Sequence, residues 1–304
     1  SFNKEKGLKQ VRFNRIDFID DINVAKALLD KIEDWAKEKG MTEVIGPIGF
    51  TDLDKQGLLI KGFDEEDMFI TLYHYPYYME HIEALGYVKD VDWIEYEIDL
   101  RNVSQEVVDR VERAAEIVKK RHKFRLLKPK RWQLPKMGRR MFKIYNEAFD
   151  PLYGFQAIPD DVMNFYISQV LYIVRREYIW FVVDEHDEII GFGLMMPSMS
   201  KVTRKHKGHL NLFNALSYLK AIQGKHEKLD MYFIAIRPDV QRKGVPAIIF
   251  ADALKTVFKN KVKFAYTGPE LEDNDGVINL WGRFDHRQHR SRRCYIKKVD
   301  EKDS

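Results

Sequence analysis

Apolar positions recur along the chain in two periods, and their order predicts an α/β protein. Residues 11–19 alternate loosely and predict a strand. Asp20 and Asp21 stand where a helix needs its cap. Val24, Ala27, Leu28, Ile32 and Trp35 then keep helical spacing up to Gly40. Further strands are predicted at 42–48 and 91–100, a Gly-bounded short segment at 57–63, and a helix at 77–85 between Pro76 and Gly86. A charged helix at 104–122 is apolar at Val107, Val108, Val111 and Ala115. A strand at 124–127 and helices at 134–149 and 159–173 follow. Next come a hairpin of residues 178–184 and 188–196, an amphipathic helical insertion at 210–222 and a strand at 229–236. A loop and long helix at 238–259, a strand at 261–267, a short helix at 275–281 and a strand at 288–299 complete the pattern. The order strand, helix, strand, helix, strand occurs at 11–100 and again at 229–299.

Charge divides the chain where the first pattern ends. Residues 1–100 carry 12 Lys and Arg against 22 Asp and Glu, whereas the whole 304-residue chain has a net charge of +4. This predicts two units, 1–100 and 124–304, joined by the helix at 101–123. Between Lys119 and Lys143 stand twelve basic residues and no acidic one. Such a run is either a solvated helix end facing acidic partners or a surface for anions or nucleic acid. His286, His289, Arg290, Arg292 and Arg293 make a basic last hairpin that could contact nucleic acid, although the aromatic interleaving of a single-strand binder is sparse there. Tyr73, Tyr75, Tyr77 and Tyr78 read as half-buried packing or as a substrate wall.

Several classes are excluded or disfavoured. The longest apolar stretches, 179–183 and 247–251, fall far short of the ~20 residues a membrane span needs, so no membrane partner is expected. One cysteine, Cys294, rules out an internal disulfide and a multi-cysteine zinc site. His74 and His81 are not part of a set with ligand spacing, and no metal is expected. No basic-then-apolar leader opens the sequence, which together with the cysteine count leads to the expectation of a cytoplasmic protein.

The chemistry-bearing stretch is residues 234–254. Ile234, Ala235 and Ile236 end a strand, a basic turn with Gln241, Arg242, Lys243 and Gly244 follows, and Val245, Pro246 and Ala247 open an amphipathic helix. Unpaired N–H groups at a helix start, the helix dipole and two cations suit a pyrophosphate, and Gly244 lets backbone approach a ligand. The bland alternative is an ordinary strand-to-helix turn.

This stretch resembles the signature of the GNAT acyltransferases, in which Gln/Arg-x-x-Gly-x-Gly/Ala follows a strand ending in Val-x-Pro. It stands here as Gln241 to Pro246 after Ile236, Arg237 and Pro238. Asn274 and the segment from Leu280 to Phe284 look like the family's Asn-led helix and Gly-Phe end. Residues 46–47, 57–63 and 75–78 are similar to an uncharacterised bacterial group with two GNAT-like halves. The resemblance implies tandem GNAT-like mixed sheets flanked by helices. The first half is incomplete or degenerate: Asp20 and Asp21 occupy its pyrophosphate position, so it is expected to be a scaffold or a wall of the substrate site.

For the second half, the resemblance implies transfer of an acyl group, such as acetyl from acetyl-CoA, to an amine. The coenzyme would lie along Ile234, Ala235 and Ile236, on Gln241, Arg242, Lys243, Gly244, Val245 and Ala247, with Asn274 beyond. Tyr232, Asp230, Tyr266 and Glu270 are the candidate catalytic residues. Two departures weaken this expectation: Pro246 has no N–H for a phosphate, and Trp281 stands where many members carry an acidic tyrosine. The alternatives are an inactive acyl-CoA-binding sensor and a tandem aminoacyl transferase that uses charged tRNA.

Overall fold

Strand pairing, more than position along the chain, decides which residues fold together. The computed structural model describes residues 2–51, 53–170 and 174–299. The elements, in order, are α1 (Phe2–Lys6), β1 (Gln10–Arg12), α2 (Ile22–Glu38), β2 (Glu43–Gly46), β3 (Leu58–Lys61), α3 (Pro76–Ala84) and β4 (Val88–Asp99). Then come α4 (Gln105–His122), β5 (Arg125–Leu127), α5 (Leu134–Phe149), α6 (Asp160–Val170), β6 (Ile179–Val183), β7 (Ile189–Pro197), α7 (Ser200–Lys205) and α8 (Ala215–Gln223). The last are β8 (Lys228–Ile236), α9 (Val245–Lys259), β9 (Phe264–Thr267), β10 (Glu270–Leu271), α10 (Asp275–Trp281) and β11 (Asp285–Lys298). The end of the helix predicted at 159–173 lies outside the described residues.

These elements form two compact units, each with a mixed sheet and helices. The first holds the chain up to Glu95, Pro269–Val277 and the chain from Gln288 onward; the second holds Tyr96–Gly268 and Ile278–Arg287. The units therefore do not divide once near residue 100. Late segments join the first unit because β11 pairs antiparallel with β2 and β3, and β10 with β4 at Trp93 and Ile94. In the second unit the order is β4-β9-β8-β7-β6-β5. There β8 and β9 are parallel and the other neighbours antiparallel.

Local signals explain most element ends. The Asp21 carboxylate accepts the Asn23 N–H at 2.8 Å and starts α2; Ser104 does the same for α4 through Val107 N–H at 3.3 Å. The last turn of α4 carries Lys119, Lys120, Arg121 and His122, which suits the negative end of its dipole. The buried face of α2 is not the expected one. Ala25, Leu29 and Ala36 face the core, while Val24, Leu28 and Trp35 are exposed. The helix has two apolar stripes, and the stripe with two alanines allows the closer approach.

In the first unit the basic cluster near the end of the chain is interior. On β11, Arg290 and Arg292 are fully buried, beside the equally buried Glu95 of β4. Arg292 donates from Nε to Glu95 Oε1 at 2.6 Å, from Nη2 to Asp67 Oδ1 at 2.8 Å and from Nη1 to the Leu72 carbonyl at 2.5 Å. Arg290 Nη1 lies 3.0 Å from Asp67 Oδ1. Burial and the Arg292 charge lower the His74 pKa to about 4, and its neutral Nδ1 accepts the Leu59 N–H at 3.2 Å. This corrects the reading of Arg290 and Arg292 as a nucleic-acid surface, because pairing with β3 and β2 places them inside.

Removing one member of such a network strands its partner. Arg292→Met is expected to destabilise the protein by about 3–5 kcal/mol in urea unfolding, with part of the loss recovered in Arg292→Met/Glu95→Met. A loss below about 1 kcal/mol would show that water or rearrangement replaces the pair. The His74 proton gives a second check. The unfolded histidine has a pKa of about 6.5, above the folded value, so the unfolded state binds more protons between those limits. Stability is therefore expected to fall as the pH is lowered through that window, and less so in His74→Gln.

Candidate functional site

The central feature of the second unit is a strand that keeps one neighbour and loses the other. β8 pairs with β9 from Lys228 to Met231, where Met231 meets Thr267. The Gly268 N–H takes the Met231 carbonyl at 3.1 Å, and Pro269 follows, which has no N–H to continue a ladder. On its other edge β8 stays paired with β7 up to Ile236. The register shifts between Leu194 and Met195, which face Phe233 and Met231, so Tyr232 is the extra residue of a bulge. Tyr232, Ile234, Ala235 and Ile236 thus lie on the stretch that β9 does not accompany.

That stretch leads into the predicted turn. Residues Pro238–Lys243 form a 3₁₀ turn, and Gln241 Nε2 donates to the Ile236 carbonyl at 3.3 Å, tying the turn to the strand end. Arg242 and Lys243 are exposed. Gly244 has φ +78°, the left-handed region, and a Cβ there would lie 2.8 Å from Val118 Cγ2 of α4. The glycine is therefore needed for the backbone and for the approach of α4. This is a structural reason for the glycine, beside the expected one of letting backbone approach a ligand. At the start of α9, Pro246 has no N–H and the Ala247 N–H is given to the Gly244 carbonyl at 3.0 Å. Val245 is buried. The start of α9 thus fits a pyrophosphate in part, through its dipole and two cations, with fewer amides than a full first turn.

Three of the candidate catalytic residues gather in this unit. Asp230 of β8 is buried and sits directly opposite Tyr266 of β9. Burial and the Asp230 charge push the Tyr232 hydroxyl well above the usual phenol range, so it remains a proton donor at neutral pH. The Tyr266 hydroxyl donates to Glu97 Oε2 at 2.7 Å, and Arg287 Nε donates to Glu97 Oε1 at 2.9 Å. Glu97 was not singled out from the sequence. Its signal was an acid on the alternating strand at 91–100, unreadable without knowing that Tyr266 pairs with it. The same unit holds a small apolar pocket, partly open to solvent, lined by Met231, Phe250, Ala253, Leu254, Ala265 and Trp281. Trp281 is buried edge-on to Phe250, ring centroids 5.9 Å apart.

The remaining candidates fall in the first unit. Glu270 pairs with Ile94 on β10. Asn274 opens α10, its carbonyl accepting the Val277 N–H at 3.0 Å. The basic run 119–143 is partly neutralised within the second unit. Lys119, Lys123, Arg125, Lys128 and Arg140 pair with Glu116, Glu185, Asp187, Asp252 and Glu188. Among the described residues no His, Cys, Asp and Glu cluster could hold a metal, and no helix is long and apolar enough to cross a membrane.

The glycine assignment is testable. Gly244→Ala is expected to cost about 1–2 kcal/mol for the left-handed backbone and about 1–3 kcal/mol for overpacking against Val118. In a double-mutant cycle with Val118→Ala, measured by urea unfolding, the second part should be relieved. Strictly additive losses would show that Val118 is not what the glycine makes room for.

No family profile matches the chain. It is 24% identical over 292 residues to Protein YghO of Escherichia coli (strain K12), covering 94% of this chain and 74% of that protein. It is 25% identical over 218 residues to the bacterial ceramide synthase of Caulobacter vibrioides (strain NA1000 / CB15N), covering 71% of this chain and 55% of that protein. Among solved structures, it resembles a GCN5-related glucosamine N-acetyltransferase region of a fungal multi-domain GH3 β-N-acetylglucosaminidase. That likeness has a TM-score of 0.51 at 13% identity and covers 90% of this chain and 28% of the fungal one. It also resembles a GCN5-related N-acetyltransferase from Sphaerobacter thermophilus, with a TM-score of 0.50 at 10% identity, over 91% of this chain and 68% of the other. The bulged, parted strand and the turn into α9 therefore belong to a chain with the mixed α/β fold of the GNAT proteins.

Proposed function

We propose that the chain is an N-acyltransferase that joins the acyl group of an acyl-CoA to an amine. The observation that supports this most is the parted stretch from Tyr232 to Ile236. It offers an open backbone edge to an amide-bearing pantetheine arm, directly ahead of a basic helix start. The Caulobacter relative points the same way, since a ceramide is a long-chain amino alcohol acylated on nitrogen. The apolar cavity extends the reading from acetyl-CoA to donors with a longer hydrocarbon chain.

An acyl thioester supplies the activated carbonyl; the chain's residues manage the amine's proton and the leaving sulfur. As the C–N bond forms and the C–S bond breaks, the amine must lose a proton and the sulfur gain one. Tyr232, held protonated, donates a hydrogen bond to the departing sulfur, which leaves as a thiolate and takes its proton from solvent. Tyr266 takes one from the amine as it passes its own to Glu97, and Asp230 is the alternative acceptor. A non-catalytic acyl-CoA sensor is the second reading, favoured by the reduced amide set at Pro246 and Ala247. The ion pairs along 119–143 leave fewer cations for a charged tRNA.

Calorimetry with coenzyme A and acyl-CoAs is expected to show binding, and an amine panel is expected to release free thiol. Binding without thiol release selects the sensor; absence of heat at millimolar ligand would sink both readings. Tyr232→Phe should lower kcat about a hundredfold or more. Ala253→Phe fills the cavity and should raise KM for long-chain donors about tenfold while sparing acetyl-CoA. An equal effect on all chain lengths would remove the cavity from the acyl site.

A further inference from the structure

Between Glu188 and Glu227 the chain contains no acidic residue, and it carries six Lys and Arg: Lys201, Arg204, Lys205, Lys207, Lys220 and Lys225. All six are exposed. The same segment displays large apolar side chains. Leu212 is 93% exposed, Phe213 97% and Leu216 76%, with Leu210 and Leu219 also open. On α8, Leu216 and Leu219 are three residues apart and share one side of the helix, and Leu212 and Phe213 stand in the turn just ahead of it. Tyr218 and Ile222 turn the other way, against Met199 and Val202. α8 thus has two apolar faces, one seated on its own unit and one presented outward.

This presentation is built. Asn211 Oδ1 accepts the N–H groups of Phe213 and Asn214 at 3.0 and 3.1 Å. Asn214 Oδ1 accepts the Asn211 N–H at 2.8 Å, and Asn214 Nδ2 donates to the His209 carbonyl at 2.8 Å. The loop tip that carries Leu212 and Phe213 is therefore tied down at its base. Exposed leucines scattered singly need no explanation, but a cluster of them ringed by cations does.

We propose that residues 200–225 dock the protein onto an anionic bilayer. Leu212, Phe213, Leu216 and Leu219 enter the boundary between headgroups and acyl chains, while the surrounding lysines and Arg204 meet lipid phosphates. The charge selects this occupant. A second copy seated symmetrically on the same patch would bring six cations against six. The proposal stands on this segment alone and does not require acyl transfer. It reverses the expectation of no membrane partner, which rested on the length of the apolar stretches and did not consider surface docking.

The test is co-sedimentation of the whole chain with vesicles of phosphatidylcholine alone or mixed with phosphatidylglycerol. Binding to the mixed vesicles is expected to exceed that to neutral ones by about tenfold or more and to weaken with salt. Leu212→Ser/Phe213→Ser and Lys205→Glu/Lys220→Glu should each lower it about tenfold, with circular dichroism and the unfolding midpoint unchanged. Binding no better than to neutral vesicles overturns the proposal, as does wild-type binding by both variants. So does a concentration-dependent dimer in sedimentation velocity that Leu212→Ser/Phe213→Ser abolishes, because a second copy would then cover the patch.

Discussion

After Met231, β8 runs on for five residues with a hydrogen-bonded neighbour on one side alone. β9 cannot follow it, since Gly268 takes the last carbonyl and Pro269 has no donor to offer. An edge inside a sheet is a liability unless something occupies it. The surrounding features answer to that constraint: the bulge at Tyr232 re-aims the strand, Gln241 closes its far end, and α9 starts just past it. The apolar cavity lies on the paired side of the same fork, where Met231 and Ala265 still face one another's strands.

Charge in this protein is distributed in a way that composition conceals. A run of twelve cations reads as a surface, yet five of them are matched by acids, one a turn away on α4 and four from elsewhere in the same unit. Arg290 and Arg292, in the most basic part of the last strand, are buried. The cations of 200–225 are the reverse case: modest in number, with no acid among them in sequence, and all exposed. Local density is thus a poor guide to a charge's surroundings, because its partner is set by tertiary pairing.

Much of the fold was legible. Helix α10 at 275–281 and the start and end of α5 at 134 and 149 lie where periodicity and turn residues place them. The turn from Gln241 to Gly244 was legible too, because a strand, a glycine and an amphipathic helix are local signals. Asp230, Tyr232 and Tyr266 are brought into one unit, whereas Glu270 and Asn274 are not, since β10 pairs with β4. The units themselves were hidden, because nothing near residue 288 announces that its strand will pair with residues 43–46 and 58–61. Glu97 was hidden for the same reason. The face of α2 failed differently: both stripes were visible, and choosing between them required knowing how close the sheet would come.

The buried pair of arginines on β11 has a consequence for folding as well as for stability. Side chains alternate along a strand, so a slip of β11 by one residue against β2 and β3 would carry both guanidinium groups to the opposite face. A slip that set Ser291 in the place of Arg292 would leave Glu95 beside a neutral neighbour in a dry interior, and one in the other direction would bring in Arg293 and take it from Asp92. An apolar strand tolerates such a slip cheaply, because one leucine replaces another. Here the wrong register separates four charges at once, so the network acts as a selector among alignments, discriminating the native pairing of a strand that must find its partners across more than two hundred residues of chain.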